Sequence, residues 1–112
     1  MKKSIYIFLL ISQVIWSQNA FETGNQFYQN ENYQAAIANY ESVLASGKQS
    51  DGLYFNLGNC YYKLHKVAPA IYNYENALLL SPNDTEIKTN LEFARKMTID
   101  DIKVIQIGRA HV

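Results

Sequence analysis

The stretch FNLGN at residues 55–59 falls on FETGN at residues 21–25 when the sequence is shifted by 34 positions. Further identities share this one register: Tyr28 with Tyr62, Ala36-Ile37 with Ala70-Ile71, Tyr40-Glu41 with Tyr74-Glu75, and Leu44 with Leu78. So many coincidences in a single frame indicate an internal repeat. A repeat of this length predicts a stacked array of similar units.

Within each repeat the apolar residues follow the period of an α-helix. Leu57, Tyr61 and Leu64 recur at i, i+4 and i+7, which is one stripe of a helix. Asp51 is placed to cap this helix, and Pro69 suits the first turn of the next helix, where a missing N–H costs nothing. Each repeat therefore reads as two helices joined by a short turn.

The predicted fold is all-α, an α–α solenoid of two helical hairpins plus a capping helix. The hairpins are expected over residues 18–50 and 51–84, the capping helix over residues 85–97, and a linker over residues 98–106. The capping helix carries its apolar residues on one side: Ile87, Leu91 and Ala94.

Small residues occupy matching places in the two repeats: Gly24 and Ala36 in the first, Gly58 and Ala70 in the second. They predict a close approach of paired helices. We expect the large rings of Tyr40 and Tyr74 to fill the space between neighbouring hairpins.

The residues of the second repeat also carry a family resemblance: Leu57-Gly58-Asn59, Tyr61-Tyr62-Lys63, Ala70-Ile71, Tyr74, Ala77-Leu78 and Pro82-Asn83. With this pattern the repeat resembles the tetratricopeptide repeat nearly throughout. The first repeat departs from it, since Ala20 replaces a bulky residue, Thr23 a leucine and Lys48 a proline. The resemblance covers residues 18 to 97 and implies an array that binds protein segments in a concave groove.

The N-terminus has the order of a secretory signal peptide. Lys2 and Lys3 precede an uncharged apolar run over residues 4–16, and small polar residues follow. We predict cleavage after Ser17 and a location in the periplasm or on the outer face of the inner membrane. A retained anchor is the alternative, although the run is shorter than the ~20 residues of a membrane-spanning helix.

The C-terminal residues 107–112 are the translation of a common short-read sequencing adapter. We therefore expect this tail to be an assembly artefact, like a fusion scar, with the native protein continuing past Gln106. A genuine, loose C-terminus is the alternative.

A narrower resemblance rests on the leader, the two repeats and the segments at residues 90–95 and 98–100. Together they resemble the BatE aerotolerance family of Bacteroidetes. That resemblance implies a periplasmic repeat domain followed by a membrane anchor. It also implies membrane-associated partners encoded in the same operon, of the von Willebrand and ATPase types.

Catalytic and metal-binding motifs are not found in the sequence, so we expect no enzyme, cofactor or small-molecule substrate. The formal net charge of zero gives no indication of nucleic acid as a partner. We expect Cys60 to be a buried, inert thiol, with redox sensing as the alternative, and His65 to be a solvated turn residue. The Asp100-Asp101 pair is expected to be solvated.

The candidate binding residues lie opposite the apolar stripe. Phe21, Asn25 and Tyr28 recur at i, i+4 and i+7, and Phe55, Asn59 and Tyr62 repeat them 34 positions later, with Lys63 adjacent. Aromatic rings supply contact area, and asparagine amides can pair with both backbone groups of an extended ligand. Packing against a neighbouring hairpin is the alternative for these residues, and it is as well supported as binding for the phenylalanines.

The family's carboxylate-clamp variant needs basic residues on this line, and Phe21 and Phe55 stand where they would be expected. Capture of a C-terminal carboxylate is therefore disfavoured. The sequence predicts an exported scaffold that binds a protein or peptide segment in a concave helical groove. The alternatives are a docking domain of a larger membrane-anchored or enzymatic protein, and a self-associating structural module.

Overall fold

A computed structural model describes residues 19–110, with side chains through residue 108. The predicted signal peptide lies outside these residues. Five helices follow one another: α1 over residues 19–29, α2 Tyr33–Ala45, α3 Asp51–Lys63, α4 Val67–Leu80 and α5 Thr85–Ala110. The described part contains no strand, and the predicted all-α fold of helical hairpins is confirmed.

The chain divides into two compact units, with the boundary between Gln49 and Ser50. The first unit contains the hairpin of α1 and α2. The second contains the hairpin of α3 and α4, on which α5 packs.

The turns inside the two hairpins have the same geometry. Glu31 and His65, 34 residues apart, both adopt positive φ angles, of 62° and 59°. In the second unit the N–H of Lys66 donates to the carbonyl of Tyr61 at 2.9 Å, and the corresponding bond in the first unit is 2.8 Å. These are the bonds of a Schellman motif, which ends a helix by satisfying its last carbonyls. His65 is exposed, as predicted for a turn residue.

The start of α3 differs from the sequence expectation. Ser50, not Asp51, is the N-cap, and its hydroxyl accepts a 3.0 Å hydrogen bond from the N–H of Leu53. An N-cap needs a non-helical backbone, and Ser50 is extended, whereas Asp51 already lies in the first turn. The Asp51 carboxylate instead accepts from the N–H of Gly52 at 2.9 Å.

The core of the second unit forms where α4 meets α5. Its buried members are Ala70, Tyr74, Ala77, Ile87, Leu91 and Ala94. They include every residue predicted for the buried side of α5, while Ile71 and Leu78 of the predicted α4 face are only partly buried. Leu53, Leu57 and Cys60 bury the inner side of α3.

Each hairpin is closed by one tyrosine that lies against one glycine. A Cβ atom on Gly58 would lie 2.6 Å from the ring of Tyr74, and one on Gly24 would lie 2.7 Å from the ring of Tyr40. Each ring occupies the place that a side chain on this glycine would take, and the ring of Tyr74 also belongs to the core that α4 forms with α5. Only glycine permits this approach.

The last helix is longer than predicted. α5 does not end near residue 97 but continues to Ala110, through the predicted linker over residues 98–106. Neither proline nor glycine interrupts the sequence between residues 85 and 107, so nothing local ends the helix. Asp100 and Asp101 lie exposed on it. No helix among residues 19–110 is long and apolar enough to span a bilayer.

Candidate partner-binding surface

The predicted binding residues of α3 form a line on the helix surface, which we call the α3 line. Phe55, Asn59 and Tyr62 are each partly buried, and Lys63 is exposed at the last turn. The helix presents them at one-turn spacing, as the sequence indicates. Contacts behind this line, toward α4 and α5, determine how rigidly it is held.

Asn59 joins three helices through one amide oxygen. Its Oδ1 accepts a 2.5 Å hydrogen bond from the hydroxyl of Tyr74 on α4. The same oxygen accepts a 3.0 Å hydrogen bond from Nδ2 of Asn90 on α5. Because the Tyr74 side chain is almost fully buried, Asn59 supplies the acceptor that its hydroxyl requires.

The aromatic members of the line also contribute to packing. The rings of Phe55 and Tyr74 have centroids 6.0 Å apart and are tilted by 50°. Phe55 and Tyr62 both pack against the core of the second unit. These rings therefore present one side to the core and retain partial exposure on the other.

The first unit repeats the arrangement. The hydroxyl of Tyr40 donates to Oδ1 of Asn25 at 2.5 Å, and the rings of Phe21 and Tyr40 lie 5.8 Å apart with a tilt of 51°. Tyr28 makes an edge-on contact with Tyr33 across the turn, with ring centroids 5.6 Å apart. The same constellation of phenylalanine, glycine, asparagine and tyrosine thus closes both hairpins.

This geometry corrects one part of the sequence interpretation. The sequence predicts that Asn25 and Asn59 offer both amide groups to a ligand and contribute little to the fold. Their oxygens instead accept from buried tyrosine hydroxyls within their own hairpins. Within the described residues the amide nitrogen of Asn59 donates to no protein acceptor, so this nitrogen can donate to a ligand.

Sequence reasoning did not identify the tyrosines or Asn90 as partners of the asparagines. The signal is present in the repeat, because Asn25 and Tyr40 are separated by 15 residues, as are Asn59 and Tyr74. Asn90 also repeats an earlier asparagine at the 34-residue shift. Periodicity along one helix does not display such pairs, because they join different helices.

The described residues show little that suggests chemistry. They include no group of acidic, histidine or cysteine side chains that could hold a metal ion. Cys60 is fully buried, and burial raises the pKa of its thiol from 9.0 to about 12. A thiol in this state is a poor nucleophile, which favours the inert interpretation over redox sensing.

Residues 53–84 match the family model of the tetratricopeptide repeat. The matched residues belong to α3, α4 and the turn that follows, and the match supports the resemblance seen in the sequence. It indicates a protein–protein interaction module, of a kind that is typically a non-enzymatic scaffold. No curated protein matches the chain.

Proposed function

We propose that the chain is an exported scaffold that binds an extended segment of a partner protein through the line Phe55, Asn59 and Tyr62 of α3. The observation that carries this proposal is the Asn59 side chain, whose oxygen is fixed by two internal donors while its nitrogen remains available. A preorganised donor between two partly exposed rings costs little entropy when a ligand binds. The family match supports the kind of partner.

Each side chain of the line has a distinct part in binding. The amide nitrogen of Asn59 donates to a main-chain carbonyl of the bound segment. Phe55 and Tyr62 contact the apolar side chains next to that carbonyl, and exposed Lys63 lies beside a polar or acidic group. The first unit carries the same residue types at the corresponding positions, Phe21, Asn25 and Tyr28.

The test uses peptides selected from a phage-displayed library, with their affinity for the chain measured by fluorescence polarisation. Asn59→Asp keeps an oxygen for Tyr74 and Asn90 but removes the N–H donor. It should weaken peptide binding by roughly 1–3 kcal/mol, because the ligand carbonyl loses its partner on a desolvated surface. Circular dichroism should show a melting temperature close to that of the wild type.

The matched control is Tyr72→Ala. Tyr72 is a well-exposed aromatic residue of α4 outside the proposed line, and its loss should leave affinity unchanged. If Asn59→Asp binds as tightly as the wild type, or if Tyr72→Ala weakens binding equally, the ligand docks elsewhere.

Export is the second part of the proposal. Lys2, Lys3 and the apolar run behind them support recognition as a signal peptide. Replacing Leu9 and Leu10 with aspartate should leave the protein unprocessed in the cytoplasm. A fused reporter that still reaches the periplasm would show that the leader does not direct export.

A narrower role follows from the resemblance to the BatE family. In this role the repeats form the periplasmic docking domain of a larger, membrane-anchored protein and bind membrane-associated proteins of the same operon. The order of leader, repeats and the α5 segment around Asn90 supports it. Sequencing the gene together with the DNA that follows it distinguishes this role from a docking domain attached to an enzyme, because the two roles predict a membrane anchor and a catalytic domain respectively.

A further inference from the structure

The second half of α5 exposes large aliphatic side chains. α5 has 26 residues and α4 has 14, so they extend ~39 Å and ~21 Å at 1.5 Å per residue. Every residue from 99 to 108 is exposed. Ile99, Ile102 and Ile105 lie on one side of this distal segment and are 53%, 50% and 57% exposed. Helices in water are stabilised mainly by packing of an apolar face. A second surface that packs against these isoleucines would therefore stabilise the distal segment as a helix.

A groove that could receive such side chains lies on the same unit. It runs between α4 and the first half of α5 and has a volume of about 570 Å³. Its lining is Leu78, Leu79, Pro82 and Leu91, with Glu75 and Arg95 at its edge. Leu79 is 78% exposed, the most exposed large hydrophobic side chain of the described residues. The Glu75–Arg95 ion pair, at 3.1 Å, borders the groove with charge.

We propose that the chain self-associates as a two-fold dimer in which the distal segment of each copy fills the groove of the other. The isoleucines of the segment and the leucines of the groove are chemically complementary, and one unit carries both. A two-fold arrangement buries both surfaces twice, which is the condition for a closed, isologous dimer. Ile105 lies five whole turns after Ile87, on the face of α5 that packs on α4, so the new contact extends an existing interface.

The dimensions of α5 fit this arrangement. The groove lies beside Leu91 and Arg95, and the distal isoleucines are centred on Ile102. The point midway between these two surfaces falls near Met97 and Thr98, which is also the midpoint of α5. Two antiparallel α5 helices that share this midpoint lie side by side along their whole length. The distal segment of each helix then reaches the groove of the other copy.

The experiment measures the mass of the full chain by sedimentation equilibrium from micromolar to millimolar concentration. The mass should rise from 12.8 kDa toward twice that value. Ile102→Lys and Leu79→Glu should each weaken self-association at least tenfold, because each places a charge in an apolar contact. Both positions are exposed, so both variants should keep the melting curve that the wild type shows at concentrations where it is monomeric.

Mixing the two variants gives the decisive result. In a mixed dimer the introduced lysine meets the introduced glutamate at one contact, and the wild-type isoleucine meets the wild-type leucine at the other. An equimolar mixture should therefore recover the dimer mass that neither variant reaches alone. Phe93→Glu is the control, since Phe93 is exposed on α5 on the side away from Leu91 and should not affect association.

Three outcomes would overturn the proposal. A mass of 12.8 kDa at every concentration excludes the dimer. Association that neither substitution weakens assigns it to another surface, such as the apolar leader. A monomer that floats with phosphatidylcholine–phosphatidylglycerol vesicles, and loses this property in Ile102→Lys, assigns the distal segment to a lipid surface. Self-association does not depend on the α3 line, so it can fail while peptide binding persists.

Discussion

Asn59 serves the fold and the proposed site with different atoms of one amide. Its oxygen accepts from Tyr74 and Asn90, which connects α3 to α4 and α5. These bonds fix the amide plane and therefore the direction of its N–H groups. Fold stability and ligand binding at this position are coupled, and substitutions separate them only if they keep the oxygen.

Asn59→Ala should lower the free energy of unfolding by about 1–3 kcal/mol, because the buried Tyr74 hydroxyl and the Asn90 amide lose their acceptor. Asn59→Asp should cost much less, since a carboxylate oxygen still accepts from both. Chemical denaturation of these two variants and of Tyr74→Phe, combined in a double-mutant cycle, measures the coupling. If Asn59→Ala unfolds at the wild-type denaturant concentration, the amide does not support the core.

The buried thiol of Cys60 gives a prediction for pH. Its folded-state pKa, about 12, lies above the unfolded value, near 9. The protonated thiol thus favours the folded state below pH ~9, and this contribution is lost as the pH rises from ~9 toward 12. A disulfide reagent at pH 8 should label Cys60 only after denaturation, and Cys60→Ala should reduce the loss of stability above pH 9. Rapid labelling of the folded chain would contradict the inert interpretation.

Individual residues are predicted unequally well by the sequence. The burial of Leu57, Ile87 and Leu91 follows from helical spacing, because one helix displays that spacing by itself. The roles of Asn25 and Asn59 do not, because their partners lie on other helices. A residue that faces away from the main apolar stripe can still anchor the core when a long side chain such as tyrosine reaches it.

At the scale of the helix, α3 contains two glycines with opposite requirements. A Cβ on Gly52, in the first turn, would have no atom within 4 Å, whereas a Cβ on Gly58 would contact the Tyr74 ring. Gly52→Ala should therefore raise stability by up to ~1 kcal/mol through helix propensity. Gly58→Ala should lower it by roughly 1–3 kcal/mol, because the ring must move.

Denaturant melts of these two variants form an internally matched pair, since the substitution and the helix are the same. Equal effects of the two changes would show that the tyrosine–glycine contact does not close the hairpin. The same contact recurs between Gly24 and Tyr40, so Gly24→Ala should behave like Gly58→Ala.

The hairpin helices are predictable from the sequence because the apolar residues within them recur with helical spacing. α4, for example, has Pro69 in its first turn and a buried face that repeats with helical spacing. α5 lacks a signal for its C-terminal end, and the sequence underestimates its length for that reason. The predicted start of α3 is displaced by one residue because Ser50 and Asp51 are both good caps by residue type.

At the scale of the whole molecule, the apolar side chains exposed on α5 are explained by the way in which repeat units pack against one another. Units of a repeat protein bury their apolar faces against neighbours, and about three repeats are usually needed for stability. The described residues form two hairpins and α5. Large apolar side chains of the kind that a neighbouring unit covers are exposed on α5 and on the outer side of α4.

The chain should therefore be marginally stable as a monomer. We expect residues 18–104 to melt near the bottom of the ~45–65 °C range of mesophilic domains. Because the proposed dimer covers part of the exposed surface, the midpoint should rise with concentration, as mass action requires when only the folded state associates. Circular dichroism melts over a hundredfold range of concentration, with Ile102→Lys as the comparison, measure this dependence. A melting midpoint above that range that does not vary with concentration would mean that two hairpins and one helix are stable without a second copy.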